Sequence, residues 1–290
     1  MAQIDEIITK RLLAIFRNTQ SEEIIQHALQ AYPSGILSAH LSPMRWNLLS
    51  WYPFDPSRLL LEVEAGVGAL IGLFCRKVSS VVAQEASAGK FLVLQERHAT
   101  HNNLQLANCS LSKLVWQQKF SYVTCLGAFE NAKKIFSDPK PHLKLLTHLK
   151  SFLIEGGHLL LTVQNRFGLK HWSGVSKTGA QKTFLALERY FNNDETYLFG
   201  KAELEILFRQ AGFKEIKFYY PLPNFLLPQE IFSDEFLPTA KHGVSELEGS
   251  FSLVRMLHQE NFLNTKLVTD LLARNGYLDI FADSFLIDVC

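Results

Sequence analysis

Cysteine is scarce in this chain. Its four copies, Cys75, Cys109, Cys125 and Cys290, are scattered and form no C-x-x-C pair. That spacing argues against a disulfide framework and a structural zinc cluster, so no metal site is expected and a reducing, cytoplasmic compartment is. Charge of one sign is lacking too. The 29 Lys and Arg stand against 28 Asp and Glu, a net charge of +1, which leaves no electrostatic footprint for a nucleic-acid partner. Short basic runs such as Lys133-Lys134 read as solvated surface. The most apolar window, Leu59 to Cys75, is interrupted by Glu62, Glu64 and several glycines, so no membrane span is expected. The opening residues, Met-Ala-Gln-Ile-Asp-Glu, lack the apolar core of a secretory signal. There is no internal repeat, no low-complexity tract and no G-x-G-x-x-G phosphate turn, and the last absence disfavours a dinucleotide-dependent dehydrogenase.

What is present is a globular composition, 47% apolar and 20% charged over 290 residues, enough for one large α/β domain or two small ones. Helical spacing of Ile4, Ile7, Ile8, Leu12, Leu13 and Phe16 predicts a helix at the start, and Ser21-Glu22-Glu23 reads as a fresh helix start in a helical region extending to residue 31. Pro33-Ser34-Gly35 breaks it, and a short helix is expected over 41–49. From residue 59 strands and helices alternate. Strands are predicted at 59–63, 80–84, 103–107, 120–125, 157–164, 213–219 and 284–289, with helices at 68–77, 87–98, 138–153 and 201–212 and two more within 251–275. Alternation of this kind implies a largely parallel sheet covered by helices. Segments 166–200 and 221–279 are long insertions, of the sort that form lids or substrate walls.

The most informative stretch is Leu59-Leu60-Leu61-Glu62-Val63-Glu64-Ala65-Gly66-Val67-Gly68-Ala69-Leu70. An apolar run ends in an acid, passes through small residues and enters an amphipathic segment, as a buried strand does when it hands over to a helix at a nucleotide-type site. A second carboxylate, Glu85, closes Val81-Val82-Ala83-Gln84-Glu85, 23 positions after Glu62. A carboxylate at the end of the second strand suits the two ribose hydroxyls of an adenosine.

Acid and turn resemble motif I of class I S-adenosylmethionine (SAM) methyltransferases, E/D-x-G-x-G-x-G. Further stretches are similar to a bacterial group of that family associated with glycosyltransferases of surface polysaccharide synthesis. They are Leu41-Ser42-Pro43-x-Arg45-x-Asn47-Leu48-Leu49, Trp51-Tyr52-Pro53-Phe54, Asn165-Arg166-Phe167-Gly168-Leu169-Lys170-x-Trp172-x-Gly174, Tyr219-Tyr220-Pro221-Leu222-Pro223, Glu230-Ile231-Phe232-Ser233-Asp234-Glu235-x-Leu237-Pro238 and Phe281-Ala282-x-Ser284-Phe285-Leu286. The resemblance implies a single Rossmann-like methyltransferase domain with a seven-stranded, mostly parallel sheet whose last strand is antiparallel. Residues 1–55 would form a helical cap, 56–165 the SAM-binding core and 201–290 the C-terminal part. It further implies SAM as methyl donor, O-methylation of a saccharide or glycan precursor, and a glycan or small-molecule acceptor, with a glycosyltransferase or an active methyltransferase subunit as protein partner.

Carried onto this chain, the cofactor-binding set is Glu62, Glu64, Ala65, Gly66, Gly68, Glu85, Asn108, Cys109, Gly127 and Glu130. Asn165, Arg166 and Trp172 are the acceptor-binding set; Arg166 either grips a carboxylate or phosphate bidentately or forms a structural salt bridge. A sugar hydroxyl is methylated faster with a general base, for which His40 and His171 are the candidates on matching segments. Trp46, Trp51 and Trp172 either form an aromatic wall or pack in the core, and the core is the expectation for Trp51.

Several positions depart from the family pattern. Glu64 stands where the pattern has its first glycine. A side chain in left-handed backbone there costs on the order of 1–2 kcal/mol. A carboxylate about 4 Å from that of SAM adds roughly 1–4 kcal/mol of repulsion, unless Glu64 turns to solvent or attracts a cation. Ala107-Asn108-Cys109-Ser110 lacks the acid that binds the adenine amino group in relatives, Gln164 replaces a glutamate, and Val175-Ser176-Lys177-Thr178-Gly179 lacks an Asp-His pair. These changes open an alternative, a catalytically degenerate methyltransferase-like subunit that binds or scaffolds a partner.

Overall fold

The computed structural model describes residues 2–18, 39–173, 187, 197–239 and 263–290. The expected helix start at Ser21, the stretch Val175-Ser176-Lys177-Thr178-Gly179 and residues 251–262 lie outside them. The chain forms two compact units, Met1–Leu126 with His148–Leu159, and Gly127–Thr147 with Leu160–Cys290.

In the first unit the strand order is β3-β2-β1-β4-β5. Strand β1 (Leu59–Val63) pairs in parallel with β2 (Ser80–Gln84) and with β4 (Phe120–Leu126), and β3 (Leu104–Ala107) pairs in parallel with β2. Leu60, Leu61 and Val63 are fully buried, as expected of a continuous apolar strand covered on both faces. Helix α2 (Ile71–Lys77) follows β1 and α3 (Ala88–Arg97) follows β2. Ser87 caps α3 by accepting from the Lys90 N–H. Helix α1 (Ala2–Asn18) lays Leu12 and Phe16 into a core with Leu41, Val67 and Val93. Burying side chains of this size stabilises by roughly 1.5–3 kcal/mol each, and it ties the N-terminal helix to the loop that follows β1.

The second unit orders its strands β5-β8-β6-β7, with β5 (Leu153–Gln164) running through both units. Strand β6 (Ile216–Leu222) is antiparallel to β8 (Ser284–Val289) and to β7 (Glu230–Ser233). Its helices are α4 (Ala132–Ile135), α5 (Pro141–Lys150), α6 (Leu169–Trp172), α7 (Lys201–Gln210), α8 (Thr265–Arg274) and α9 (Leu278–Phe281). The architecture is Rossmann-like α/β, mostly parallel, with an antiparallel edge. Among the described residues the strands number eight, not the expected seven. The extra one, β7, is four half-buried residues after Pro228, too short and too little patterned to announce itself. Among the described residues no helix is long and apolar enough to cross a membrane, and no group of three or more His, Cys, Asp or Glu can hold a metal ion.

Candidate functional site

Beyond β1 the backbone of Glu64, Gly66 and Gly68 turns left-handed, with φ of 50°, 60° and 71°. Glu64 is the one non-glycine residue with positive φ among the described residues. Glu64 therefore takes a backbone conformation that glycine favours. Gln84, fully buried at the end of β2, holds it there. Its Oε1 accepts from the Glu64 N–H at 2.9 Å, and its Nε2 donates to Glu64 Oε1 at 3.2 Å and to the Cys109 carbonyl at 2.6 Å. One amide thus joins the loops after β1 and β3 to the end of β2. Burial, reinforced by Glu85, raises the Glu64 carboxyl above its ordinary range. Burial, and to a lesser degree Glu64, raises the Cys109 thiol.

Glu85 is buried at the end of β2, with Oε2 accepting from the Gly66 N–H at 2.8 Å and Oε1 from the Ser87 N–H at 2.7 Å. Burial raises its pKa, against these hydrogen bonds. Asn108 braces the same corner by donating to the Glu85 carbonyl at 2.8 Å. A carboxylate offers about four acceptor positions. Backbone N–H groups take part of that capacity, and what remains suits hydroxyl donors.

Glu62 is buried in β1, and its Oε2 has no hydrogen-bond partner among the described residues. Burial pushes its carboxyl up to about 8, although Arg45 and Arg97 pull the other way. Desolvation here outweighs two guanidinium charges. Both arginines are themselves lowered by burial to about 10, so they stay charged at neutral pH. Arg97 also donates to the carbonyls of His40 at 2.9 Å and Val67 at 3.2 Å, while Trp46 Nε1 donates to the Ala69 carbonyl at 3.0 Å. Gly68 has no space for a side chain, because a Cβ there would meet Leu94 and lie 2.7 Å from His98 Nε2. That His98 nitrogen sits 2.8 Å from the Gly68 carbonyl. A carbonyl only accepts, so Nε2 carries the proton. Burial, with Arg97 nearby, lowers His98 to about 3 and keeps it neutral.

In the second unit Gly127 has φ 97° beside the Phe225 ring. Glu130 is buried, and its Oε1 accepts from the Gln164 N–H at 2.6 Å. Asn165 is buried and spends its amide on the carbonyls of Ile280 and Ala282, at 2.7 and 2.8 Å, and on the Phe167 N–H, at 3.0 Å. Arg166 is 2% exposed, pairs with Glu203 at 3.0 Å, donates to the Leu198 carbonyl and stacks over Tyr197. His171 lies on α6, its N–H bonded to the Gly168 carbonyl at 2.9 Å. Trp172 is 43% exposed, its Nε1 donating to the Phe167 carbonyl. Trp51, expected in the core, is also 43% exposed, with its indole N–H donating to the Leu48 carbonyl at 3.0 Å.

Structure therefore gathers Glu62, Glu64, Ala65, Gly66, Gly68, Glu85, Asn108 and Cys109 around the ends of β1, β2 and β3, with the His40 carbonyl tied in through Arg97. It separately gathers Glu130, Asn165 and Arg166 near the end of β5. Sequence reading missed Gln84, Arg97 and His98. The sole hint was a polar Gln84 closing an otherwise apolar strand.

No family model matches the chain and no curated protein does. Among solved structures it is similar to a chain of the complex between the Haloferax volcanii Trm112 methyltransferase activator and a methyltransferase, at 14% identity over 90% of this chain and 94% of that one, with a TM-score of 0.51. It is also similar to a Bacillus halodurans protein described as a methyltransferase, at 14% identity over 84% and 97% with a TM-score of 0.46, and to the CcbJ methyltransferase of Streptomyces caelestis, at 18% identity over 46% and 52% with a TM-score of 0.38. The match spans about half the length of CcbJ. The likeness to the Haloferax chain, together with the strand order and the left-handed turn after β1, gives this protein the Rossmann-like fold of class I methyltransferases.

Proposed function

We propose that this chain is a SAM-dependent methyltransferase and that its acceptor is a saccharide or glycan precursor methylated on oxygen. The observation that carries the cofactor reading is the corner formed by Gly66, Glu85 and Ser87, a buried carboxylate braced by backbone N–H groups with acceptor capacity left over for hydroxyl donors. In this reading Glu85 receives the ribose hydroxyls, and Asn108 and Cys109 border the adenine. Gly66 and Gly68 let the backbone approach the ligand. Bound SAM supplies an electrophilic methyl group on a good leaving group, so the protein mainly aligns the acceptor. The acceptor class rests on the stretches from Leu41 onward that resemble polysaccharide-associated methyltransferases. Trp172 is its proposed contact, and His40 or His171 its base; the buried Asn165 and Arg166 brace that rim, Arg166 through a structural salt bridge to Glu203 rather than a grip on the acceptor.

One observation favours a second reading, a non-catalytic subunit acting beside a glycosyltransferase or an active methyltransferase. Glu64 brings a carboxylate into the turn and Gln84 fastens it there. Calorimetric titration with SAM and S-adenosylhomocysteine separates the two. The first reading expects micromolar binding by the wild-type protein and a loss of about tenfold or more in Glu85→Ala, the cost of one charge-assisted hydrogen bond. Binding seen only in Glu64→Gly favours the second. Binding by neither protein overturns the cofactor site in both readings.

A further inference from the structure

A cavity of about 310 Å³ opens in the second unit among Phe167, Lys201, Glu203, Glu205, Asp279 and Ile280. Its volume falls at the lower end of the roughly 300–1,000 Å³ typical of small-ligand pockets. Its place follows from the topology. Phe167 lies just past the end of β5, the first turn of α7 leads toward β6, and Asp279 precedes β8. Asn165 forms a parallel bridge with Phe199 directly before that turn. The cavity therefore sits at the carboxyl end of β5, the rim at which open α/β sheets take up ligands.

The charges around it are not free to bind an anion. Lys201 Nζ is engaged by Asp234 at 2.7 Å and by the Tyr220 hydroxyl at 2.8 Å, with Asp279 at 3.9 Å. It also lies over the rings of Phe218 and Tyr220. Tyr220 donates to Asp234 and is fully buried, and burial raises its phenol far above the ordinary value, so it remains protonated. Glu203 is neutralised by Arg166, and its second oxygen accepts the Gly200 N–H at 2.9 Å. With Lys201 set against Asp234 and Glu203 against Arg166, Glu205 and Asp279 leave the cavity net negative. Phe167, 39% exposed, and Ile280, 46% exposed, supply apolar walls.

We propose that this cavity is a binding subsite for a non-anionic sugar ring, with Phe167 as its platform and Glu205 and Asp279 accepting its hydroxyls. Carboxylates are acceptor-only groups matched to O–H donors, and the same negative field repels a phosphorylated sugar. The choice of a sugar rests on the glycan-acceptor reading above; the exclusion of anions rests on the cavity alone.

Saturation-transfer NMR tests it on the full chain, with a panel of methyl glycosides of neutral hexoses, glucosamine and glucose 1-phosphate. A neutral sugar or glucosamine is expected to give contact signal, and glucose 1-phosphate none. The signal should fall about fivefold or more in Phe167→Ala and in the paired Glu205→Gln, Asp279→Asn variant. The second variant keeps side-chain shape and carries the test if Phe167→Ala fails to fold. Absence of signal from every sugar, signal strongest for the phosphate, or signal unchanged in the shape-preserving variant overturns the subsite. Sugar binding by a protein that fails to bind SAM refutes methyl transfer and leaves the subsite standing; SAM binding without sugar binding refutes the subsite alone.

Discussion

At the scale of residues, Glu64 and Gln84 separate two effects that usually travel together, backbone strain and side-chain hydrogen bonding. Glu64→Ala keeps the left-handed backbone and gives up the carboxylate bond to Gln84. Glu64→Gly gives up the same bond and relieves about 1–2 kcal/mol of strain, offset by the roughly 0.5–1 kcal/mol of extra chain entropy that glycine loses on folding. A neutral hydrogen bond contributes about 0.5–1.5 kcal/mol. Glu64→Gly is therefore expected to stay within about 1 kcal/mol of wild type, and Glu64→Ala to fall about 1 kcal/mol below it. Urea unfolding midpoints measure both, and an alanine variant more stable than the glycine variant would contradict the strain assignment. Gln84→Leu strands the Glu64 N–H and the Cys109 carbonyl together, so a loss of about 2–4 kcal/mol is expected in the same measurement. The left-handed backbone was legible beforehand, since Glu64 stands at a glycine position of the motif it resembles, but the reach of Gln84 across two neighbouring loops arises only after β1, β2 and β3 align.

At the scale of elements, Arg97 at the end of α3 fastens the segment around His40 to the loop after β1. Removing its charge by Arg97→Met leaves two carbonyls without their donor and Glu62 with one guanidinium fewer. Leaving the carbonyls of His40 and Val67 without their donor costs about 1–3 kcal/mol each, and the urea midpoint should drop accordingly. Trp46→Phe, which deletes one hydrogen bond to the Ala69 carbonyl, should cost only about 1 kcal/mol. Elements were the scale at which the sequence spoke most clearly. Leu59–Val63, Ser80–Gln84 and Ser284–Val289 match their predicted limits because each is a short apolar run bounded by turn residues. Strand β5 begins at Leu153, four residues before the expected start. Gly156-Gly157 reads locally as a turn, yet Gly156 takes φ 68° inside the strand. Helix α2 starts at Ile71 rather than at Gly68, because Gly66 to Leu70 are spent on the left-handed turn. The end of β5 shows the same limit in the site: Asn165 and Arg166 were visible as a motif, but not that Ile280, Ala282 and Glu203 would occupy them.

At the scale of the whole molecule, the buried ionisable groups set a pH window. Glu62 rises from 4.5 to about 8 on folding, so the folded state holds a proton that the unfolded state has released. Stability therefore declines as pH climbs from 4.5 to 8. His98 and His142, lowered by burial to about 3 and about 4, act in reverse. Their contribution is complete above pH 6.5 and is lost as pH falls toward 4 and 3. Below pH 6.5 the two histidines oppose the raised carboxyls of Glu62, Glu64, Glu85 and Asp283, and above it the carboxyls act without them, so stability falls on the alkaline side of about pH 6.5. Chemical unfolding at pH 6.5 and 8 should show this decline, and Glu62→Gln should flatten it. An alkaline decline unchanged in Glu62→Gln would mean that Glu62 is ionised in the folded protein. The left-handed turn after β1 has one more consequence, and it concerns descent rather than energy. Its shape is imposed by what surrounds it, since it persists with glutamate in place of glycine. The way back to the ordinary motif is then a single replacement, reachable by one base change, with no rebuilding of the backbone. Whatever distinguishes that corner from the glycine-bearing motif it resembles is held in a side chain, and one step could discard it.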